Sequence, residues 1–250
     1  MTPPVLHIIN LPRSTDRRAS IADQVAKLDL PFVFFDAIDG HVPHPLFANI
    51  DLNQRLAQKG RPFRPGEMGC WASHYLLWQH CVEGGVPIIV LEDDIVLDPR
   101  LPEVLQALPA LPEDVGYFRL HAADCPSTPW RRFGDFVLHR YWRSPMCAFG
   151  YYLAPSAAQR LLQHAKNWVL PVDDYMDLAW LHGVECLGLK PAVVSCEEVF
   201  DSTIRAGGKQ KATVGAAGRM GREIRRAWLD LRWQLHNAPA RLWGRGRNPV

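Results

Sequence analysis

The chain has 250 residues, of which 48% are hydrophobic and 22% are charged, and its formal net charge is +2. This composition excludes a disordered chain and provides enough residues for one large α/β domain with appendages. The charge is uneven, because residues 205–250 hold eleven Lys or Arg and two acids, a net charge of +9. The other 204 residues hold 17 bases and 24 acids, a net charge of −7. An acidic body with a basic tail predicts an anionic partner for the tail.

The cysteines contain no CxxC pair, and we interpret Cys70, Cys81, Cys147 and Cys186 as small buried hydrophobic residues. The first residues lead directly into a strand without a basic and apolar leader segment. No apolar run approaches the length of a membrane-spanning helix. We therefore expect a cytosolic protein with reduced thiols.

Hydrophobic periodicity predicts strands and helices that alternate along the chain. The predicted strands are residues 5–11, 32–35, 86–92, 115–121, 149–153, 184–189 and 192–196. The predicted helices are residues 14–28, 66–82, 101–108, 155–164 and 175–181, with one short helix within residues 41–63. Residues 122–145, rich in Pro, Arg and aromatic residues, are predicted to form a loop. This alternation indicates an α/β protein with a mostly parallel sheet.

Three consecutive acids, Glu92-Asp93-Asp94, directly follow the apolar run at residues 88–91. The apolar run predicts a strand that is buried on both faces. Acids at its carboxyl end repel each other unless a cation or hydrogen bonds neutralise them. Ligands of open α/β sheets bind at this edge, and two of the carboxylates can converge on one hard divalent ion. The alternative is an acidic turn before the helix that Asp98-Pro99 introduces.

The basic tail is predicted to be a separate unit. Residues 206–221 are rich in Gly and Ala and predict a flexible linker. In residues 222–235 one helical face carries Ile224, Trp228, Leu231 and Leu235, and the arginines lie mostly on the other faces. This pattern is typical of a helix at a membrane surface. The alternatives are a helix that docks on the acidic body and, more weakly, an RNA-binding segment, although nothing in it resembles a nucleic-acid module.

Five sequence blocks carry a resemblance to a known family. They are Ile8-Ile9-Asn10-Leu11-Pro12-Arg13-Ser14, Phe34-Phe35-Asp36-Ala37-Ile38-Asp39-Gly40, Pro65-Gly66-Glu67-Met68-Gly69-Cys70 leading to Ser73-His74, Leu91-Glu92-Asp93-Asp94, and Pro171-Val172-Asp173-Asp174-Tyr175. Together they resemble glycosyltransferase family 25, which includes bacterial lipooligosaccharide galactosyltransferases and collagen galactosyltransferases. Each block is weak alone, but five in the family's order are specific. They cover the body of the chain, and the tail lies outside the resemblance.

The resemblance implies a GT-A-like, Rossmann-type sandwich that uses a metal-bridged sugar nucleotide. Mn²⁺ or Mg²⁺ fits the carboxylates, since both ions prefer oxygen ligands. The ion would offset the charge of a departing nucleoside diphosphate. We expect Asp94 to be the first direct ligand and Glu92 the second. Asp93 is expected to contact the ribose or the donor sugar, because successive side chains on an extended strand point in opposite directions.

Displacement with inversion at the anomeric carbon also requires a base for the acceptor hydroxyl. The family motif places its more consistent acid at Asp173, so we expect Asp173 to be the base and Asp174 to orient a sugar. A helix start lowers the pKa of a carboxylate, whereas a neighbouring like charge raises it. The alternative is that one of the two caps the helix at residues 175–181.

Several further residues of the matched blocks are expected to bind the donor. They are Asn10, Arg13, Arg17 (or Arg18), Asp36, Asp39, Glu67, His74 and, from a later matching segment, Arg205. Arginine can pair bidentately with phosphate, whereas Asp36 and Asp39 also fit an Asx turn. Glu67 fits a helix cap and His74 fits a satisfied core histidine equally well. Ser73 and His74 are adjacent on a helix and diverge, so we do not expect a Ser–His catalytic pair.

We therefore predict a catalytic domain at residues 1–205, a linker at 206–221 and a basic amphipathic tail at 222–250. The expected activity moves galactose from UDP-galactose to a lipid-linked outer-core oligosaccharide. The tail is expected to hold the enzyme on the anionic cytoplasmic face of the inner membrane, and we expect no nucleic-acid partner. The alternatives are another UDP-sugar (glucose or an N-acetylhexosamine), a capsular or protein-glycan acceptor, or a catalytically silent carbohydrate-binding relative, against which the clustered acids argue.

Overall fold

The structure is a computed structural model that describes residues 4–121, 123, 125–196 and 216–243. The strands are β1 (Leu6–Asn10), β2 (Phe32–Asp36), β3 (Ile88–Glu92), β4 (Ile95–Leu97), β5 (Tyr117–Arg119), β6 (Ser127–Phe133), β7 (Phe136–Tyr141), β8 (Gly150–Leu153), β9 (Leu187–Lys190) and β10 (Val194–Cys196). The α-helices are α1 (Thr15–Lys27), α2 (Leu52–Lys59), α3 (Pro65–Gly84), α4 (Leu101–Ala107), α5 (Pro155–His164), α6 (Val172–Met176), α7 (Ala179–His182) and α8 (Ala216–Trp243). Short 3-10 helices lie at Pro45–Asn49 and Leu108–Ala110.

Eight strands form one sheet in the order β2-β1-β3-β8-β5-β9-β7-β6, and β4 pairs with β10 separately. Six of the eight strands run in one direction, and β7 and β8 run in the other. The predicted α/β class with a mostly parallel sheet is therefore confirmed. Asn10 lies beside Asp36, and Ile9 lies beside Glu92. The carboxyl ends of β1, β2 and β3 consequently share one edge of the sheet.

The central strand β3 is buried on both faces, as the apolar run predicts. Its side chains alternate between two hydrophobic cores because successive residues of a strand point to opposite faces. Ile89 and Leu91 pack in the core that includes residues of α1 and α4. Ile88 and Val90 pack in the core that includes residues of α3 and α5. Helices on both faces fix the strand and so fix the position of its acidic end.

The predicted loop at residues 122–145 is wrong, because β6 and β7 form an antiparallel hairpin there. Gly134 takes a positive φ of 58° at the turn between them, a conformation that glycine adopts without steric cost. Pro129 lies within β6, the last strand of the sheet. An edge strand tolerates proline because one side of its backbone has no partner strand. The proline and arginine residues suggested a loop, but they belong to a hairpin at the edge of the sheet.

Two helical predictions also differ from the structure. Residues 41–63 contain a 3-10 helix and α2 rather than one short helix. The single helix expected at residues 175–181 is two short helices, α6 and α7, which are separated at Asp177 and Leu178. The side chain of Asp177 is buried in a polar cluster, and this tertiary contact overrides the local helical pattern.

Helix α8 begins at Ala216, within the segment predicted to be a linker, whereas residues 206–215 lie outside the described residues. The helix packs on α2 and α7, and the rings of Trp180 and Trp233 meet edge to face with centroids 5.5 Å apart. Docking on the body, which was the alternative for this segment, is therefore present. In the described part of the chain, no helix combines the length and apolar character needed to cross a bilayer.

Two glycines bring the loop after β2 onto the first turns of α3. A Cβ on Gly69 would lie 2.2 Å from the carbonyl oxygen of Ile38, and a Cβ on Gly40 would lie 1.7 Å from that of Pro65. Both contacts are to backbone, which cannot rotate away. Ser73 strengthens the junction, because its Oγ accepts a hydrogen bond from the N–H of Ile38 at 2.9 Å. This loop therefore sits against α3 only because residues 40 and 69 have no side chain.

We predict that Gly69→Ala lowers the free energy of unfolding by about 1–3 kcal/mol, the usual cost of overpacking. Gly84→Ala is the matched control in the same helix, since its Cβ would meet its nearest atom at 3.8 Å. Alanine is the better helix former, so this control should keep or raise the stability. Denaturant unfolding of both variants measures the difference, and equal stabilities would contradict the close-packed junction.

Candidate functional site

An open cavity lies at the carboxyl ends of β1 and β3, between the loop after β2 and helix α3. The residues that line it are Ile9, Leu11, Arg13, Ser14, Arg17, Ala37, Ile38, Asp39, Gly40, His41, Gly66, Gly69, Cys70, Ser73, His74, Glu92, Asp93 and Asp94. All three acids of the β3 end lie on its wall. This is the sheet edge at which α/β proteins bind ligands.

Two of the acids face α1, where Arg17 neutralises them. Its Nη1 lies 3.2 Å from Asp93 Oδ1 and 3.0 Å from Asp94 Oδ2. The other oxygen of Asp93 accepts a hydrogen bond from Asn10 Nδ2 at 2.7 Å. Burial raises the pKa of Asp93, and Asn10 and Arg17 act against this rise by stabilising the charged form. Arg17 is therefore the counter-charge of the acidic edge.

Glu92, the last residue of β3, faces α3 instead. Its Oε1 lies 3.5 Å from Nε2 of His74. Burial raises the pKa of Glu92, His74 opposes the rise, and the charges of Asp94 and Asp93 add to it. Nδ1 of His74 is hydrogen-bonded to Tyr151 Oη at 2.8 Å. Hence His74 is fully buried, as a core histidine would be, and also forms part of the cavity wall.

The remaining charged donor-binding candidates near β1 and β2 form ion pairs with each other. Arg13 pairs with Asp39 at the mouth of the cavity. The N–H of His41 and the guanidinium of Arg13 hold the pKa of Asp39 below its ordinary value. The Asx-turn alternative for Asp39 is thus present together with an arginine contact. Arg18 reaches Asp36 at 3.4 Å, and Asp36 lies outside the cavity lining.

Glu67 is placed by the structure in the core of a charged cluster rather than on the cavity wall. Its carboxylate contacts Arg55 at 3.1 Å and Arg61 at 2.6 Å, and it accepts a hydrogen bond from the N–H of Arg64 at 2.8 Å. Burial acts to raise the pKa of Glu67, but these three partners hold it below its ordinary value. This geometry favours the capping alternative for Glu67 over donor binding.

The second acid pair lies at the start of α6, beyond the lining of the cavity but close to it. Burial and the charges of Glu92, Asp173 and Asp94 raise the pKa of Cys70 well above its ordinary value. The acids at the end of β3 and Asp173 of α6 therefore both lie close enough to Cys70 to raise the pKa of its thiol. Burial and the charge of Asp174 also raise the pKa of Asp173. Asp174 itself lies 2.6 Å from the ammonium of Lys59.

A loop before β8 holds Asp173 through a backbone hydrogen bond. The N–H of Cys147 donates to Asp173 Oδ2 at 3.1 Å. Met146 and Cys147 have positive φ values of 50° and 66°, a conformation that residues other than glycine rarely adopt. Neighbouring structure must therefore impose this loop conformation. Cys147 is exposed, so its interpretation as a buried hydrophobic residue is wrong.

The buried pair Arg119–Asp177 supplies that restraint and was missed by the sequence reasoning. Both side chains are inaccessible to solvent and form an ion pair. Asp177 Oδ2 accepts hydrogen bonds from Ser144 Oγ and from the N–H of Met146. Arg119 Nε donates to the carbonyl of Cys147 at 3.1 Å. The pair therefore clamps both ends of the strained segment that positions Asp173.

The structure thus brings Arg13, Arg17, Asp39, His74, Glu92, Asp93 and Asp94 to one cavity. Asn10 lies behind this wall and holds Asp93. Arg205 lies outside the described residues. Cys70 also lines the cavity, so it is not simply a buried hydrophobic residue. Its place four residues before His74 on one helix was the available sequence signal.

The cavity is acidic, is lined by two arginines and has a second acid pair nearby. It lies at the carboxyl ends of the strands, where α/β proteins bind their ligands. The family model described as "Glycosyltransferase family 25 (LPS biosynthesis protein)" matches residues 4–176. The chain belongs to glycosyltransferase family 25.

Each individual relative matches this chain over only part of its own length. A Drosophila pseudoobscura pseudoobscura "Glycosyltransferase 25 family member" is 29% identical over 195 residues, 68% of this chain and 29% of that protein. A "Procollagen lysyl hydroxylase and glycosyltransferase" of Acanthamoeba polyphaga mimivirus is 26% identical over 214 residues, 77% of this chain and 23% of that protein. The "Lacto-N-neotetraose biosynthesis glycosyltransferase LgtB" of Neisseria meningitidis serogroup B is 36% identical over 98 residues, 36% of this chain and 33% of that protein. The chain spans about a third or less of the length of these relatives.

We predict that Asp177→Asn lowers the free energy of unfolding by about 3–5 kcal/mol, because it leaves the guanidinium of Arg119 buried without its counter-charge. Asp98→Asn is the matched control, since the Asp98–Arg100 pair is partly exposed to solvent, where an ion pair contributes little to stability. Chemical denaturation of the two variants measures this difference. A loss at residue 177 no greater than that at residue 98 would contradict the clamp.

Proposed function

We propose that this chain is a metal-dependent, inverting glycosyltransferase that moves a hexose, galactose from UDP-galactose in the first instance, to a lipooligosaccharide or lipopolysaccharide outer-core acceptor. The observation that supports it is the convergence of three carboxylates and two arginines on one cavity at the end of β1 and β3. Family membership supports transfer from a sugar donor. Galactose is the first choice of donor sugar because the sequence blocks resemble a family that includes galactosyltransferases.

Glu92 and Asp94 are the residues that would hold Mn²⁺ or Mg²⁺. Both line the cavity and offer carboxylate oxygens, the ligand type that these ions prefer. Arg17 lies 3.0 Å from Asp94 Oδ2, so an ion at this carboxylate would bind beside the guanidinium or through the other oxygen. A bound ion would offset the negative charge that develops on the departing diphosphate.

Arginines at the cavity mouth provide the complementary contacts to the diphosphate. Arg13 is more than half exposed although it pairs with Asp39, so a phosphate can replace this partner at little cost. Arg17 lines the same cavity. Planar guanidinium groups bind phosphate oxygens bidentately. Asp93, held by Asn10, is then available to contact the ribose or the donor sugar.

Asp173 is the proposed base that accepts the proton of the acceptor hydroxyl as its oxygen attacks the anomeric carbon. A raised pKa suits this task, because a base closer in pKa to the working pH binds the proton more readily in the transition state. The N–H of Cys147 orients the carboxylate. Asp174, paired with Lys59, would contact the acceptor or donor sugar.

Other donors and acceptors remain alternatives within the same fold. Glucose or an N-acetylhexosamine can replace galactose in the donor. A protein glycan as acceptor is favoured by the mimivirus relative, whose name includes procollagen lysyl hydroxylase and which matches 77% of this chain. A capsular acceptor is a further alternative. The class outside enzymes is a catalytically silent carbohydrate-binding relative.

Turnover of a panel of UDP-sugars in the presence of Mn²⁺ tests the proposal. UDP-galactose should be hydrolysed or transferred, and Asp94→Ala should lower kcat by about 100-fold or more, as loss of transition-state charge stabilisation does. Asp98→Ala, which removes an acid outside the cavity, should retain the wild-type rate. If no UDP-sugar is hydrolysed, transferred or bound, the chain is not the proposed enzyme.

The pH dependence of kcat/KM tests Asp173 as the base. Asp173 is active only when it is deprotonated, so the rate should fall as the pH drops through its raised pKa. The charge of Asp174 contributes to this rise; Asp174→Asn should therefore shift the acidic limb to lower pH. Asp98→Asn should leave the limb in place. If the acidic limb lies at the same pH in Asp174→Asn and Asp98→Asn, or if Asp173→Asn keeps full activity, Asp173 is not the base.

We also propose that α8 holds the protein on the anionic cytoplasmic face of the inner membrane. One face of the helix carries a stripe of exposed apolar side chains, which are Met220, Ile224, Trp228, Leu231 and Leu235. At 3.6 residues per turn they lie within about 40° of one line, and the docked Trp233 lies opposite. Arg225 and Arg232 are exposed on one flank of the stripe. An apolar stripe beside arginines is typical of helices at anionic membrane surfaces.

Binding to vesicles of phosphatidylglycerol and phosphatidylcholine tests the membrane proposal. The triple variant Ile224→Ser, Leu231→Ser, Leu235→Ser should bind these vesicles about tenfold more weakly or worse, because it removes apolar area from the interface. Val42→Ser, Val86→Ser is the control, since both valines are exposed on the body. Equal binding by the triple variant and the wild type would contradict the membrane role of the stripe.

A further inference from the structure

We infer that Cys70, His74 and Glu92 form a second metal site in the cavity wall, selective for a thiophilic ion of the zinc class. It shares Glu92 with the proposed Mn²⁺ site but differs from it in its other ligands. The binding site itself stands on the geometry of the three side chains. Only its inhibitory consequence rests on the proposed function.

The geometry is close to that of a tetrahedral site. One ligand atom from each of the three side chains lies within 4.8 Å of the other two. Zinc ligands at about 2.0–2.3 Å from the ion are about 3.5 Å apart at tetrahedral angles. His74 Nε2 and Glu92 Oε1 are already 3.5 Å apart. Cys70 and His74 are four residues apart on α3 and share one helical face, so small side-chain movements can bring the three ligand atoms to this spacing.

An unpartnered nitrogen gives independent support for a ligand at this position. The side chain of His74 is fully buried, and its Nε2, although 3.5 Å from Glu92 Oε1, makes no hydrogen bond within the described residues. Nδ1 is hydrogen-bonded to Tyr151 Oη at 2.8 Å. In the tautomer in which Nδ1 donates to this oxygen, Nε2 presents its lone pair toward Glu92. A second hydrogen bond of this kind is what orients histidine ligands in metal sites.

The donor set selects the class of ion. A thiolate and an imidazole with one carboxylate favour Zn²⁺ or Co²⁺, whereas Mn²⁺ and Mg²⁺ prefer oxygen ligands only. On binding, Cys70 releases its proton to solvent, and the thiolate and the carboxylate of Glu92 together balance the two positive charges. Three protein ligands leave the fourth position open to the cavity, where water or a ligand oxygen can bind.

The shared carboxylate connects the two metal sites. An ion held by Cys70 and His74 competes with an ion at Asp94 for the carboxylate of Glu92. If the proposed transferase function is correct, zinc should therefore inhibit turnover in competition with Mn²⁺. Cys70→Ser should relieve this inhibition, because it removes the soft ligand and leaves both carboxylates in place.

Cobalt titration of the full chain tests the site without any sugar nucleotide, so its result is independent of the transferase proposal. Co²⁺ at this site should give the thiolate charge-transfer absorption and the visible bands of a tetrahedral ion, and Zn²⁺ should remove both. Cys70→Ser should abolish the charge-transfer band. The matched control Cys125→Ser should retain it, since Cys125 lies outside the cavity lining.

Glu92→Gln and His74→Gln keep the thiol and should each weaken cobalt binding by about tenfold or more. Near-ultraviolet circular dichroism establishes that each variant is folded. If Cys70→Ser does not fold, the cobalt affinities of Glu92→Gln and His74→Gln decide whether the site exists. Absence of the band in the wild type, its persistence in folded Cys70→Ser, or unchanged affinity in both remaining variants would overturn the site.

Discussion

Mutual repulsion among the three carboxylates at the end of β3 is the constraint on which the arrangement of the site depends. The strand is buried on both faces, so the acids emerge where water cannot fully solvate their charges. Side chains from two helices face these acids. Arg17 of α1 neutralises Asp93 and Asp94, and His74 of α3 faces Glu92. Helix α1 is therefore fixed to the sheet by charge as well as by its apolar face.

Contacts between distant segments hold the surroundings of these acids in place. The loop after β2 can reach α3 only because Gly40 and Gly69 present bare backbone to it, and this contact closes one wall of the cavity. On the other side, the buried pair Arg119–Asp177 holds the strained turn whose backbone orients Asp173. Both acid groups are thus held by structure that is formed independently of any ligand. Such preorganisation is what a site that stabilises developing charge requires.

The sequence predicted the parts of this arrangement that depend on local pattern. The apolar run of β3 and the long periodic helix α3 are visible because each buries continuous apolar surface, and the cavity acids follow directly from β3. The β6–β7 hairpin was missed because Pro129 lies on a sheet edge, where the usual rule against proline does not apply.

Contacts between residues that are far apart in the sequence could not be predicted from it either. Nothing near Arg119 indicates its partner Asp177, which lies 58 residues further along the chain. Glu67 fitted a helix cap and a ligand equally well, because its own sequence does not show that Arg55 and Arg61 converge on it. Cys70 looked apolar because its neighbours in sequence are apolar, whereas its neighbours in space are acids.

The central claim is that the acidic cavity binds a nucleoside diphosphate together with a divalent ion. Calorimetric titration of the protein with UDP, in Mn²⁺ and again in EDTA, tests it most directly. The account predicts saturable binding in Mn²⁺ that weakens by about tenfold or more in EDTA, because the ion joins the carboxylates to the diphosphate. Equal affinity in both buffers, or no binding in either, would contradict it.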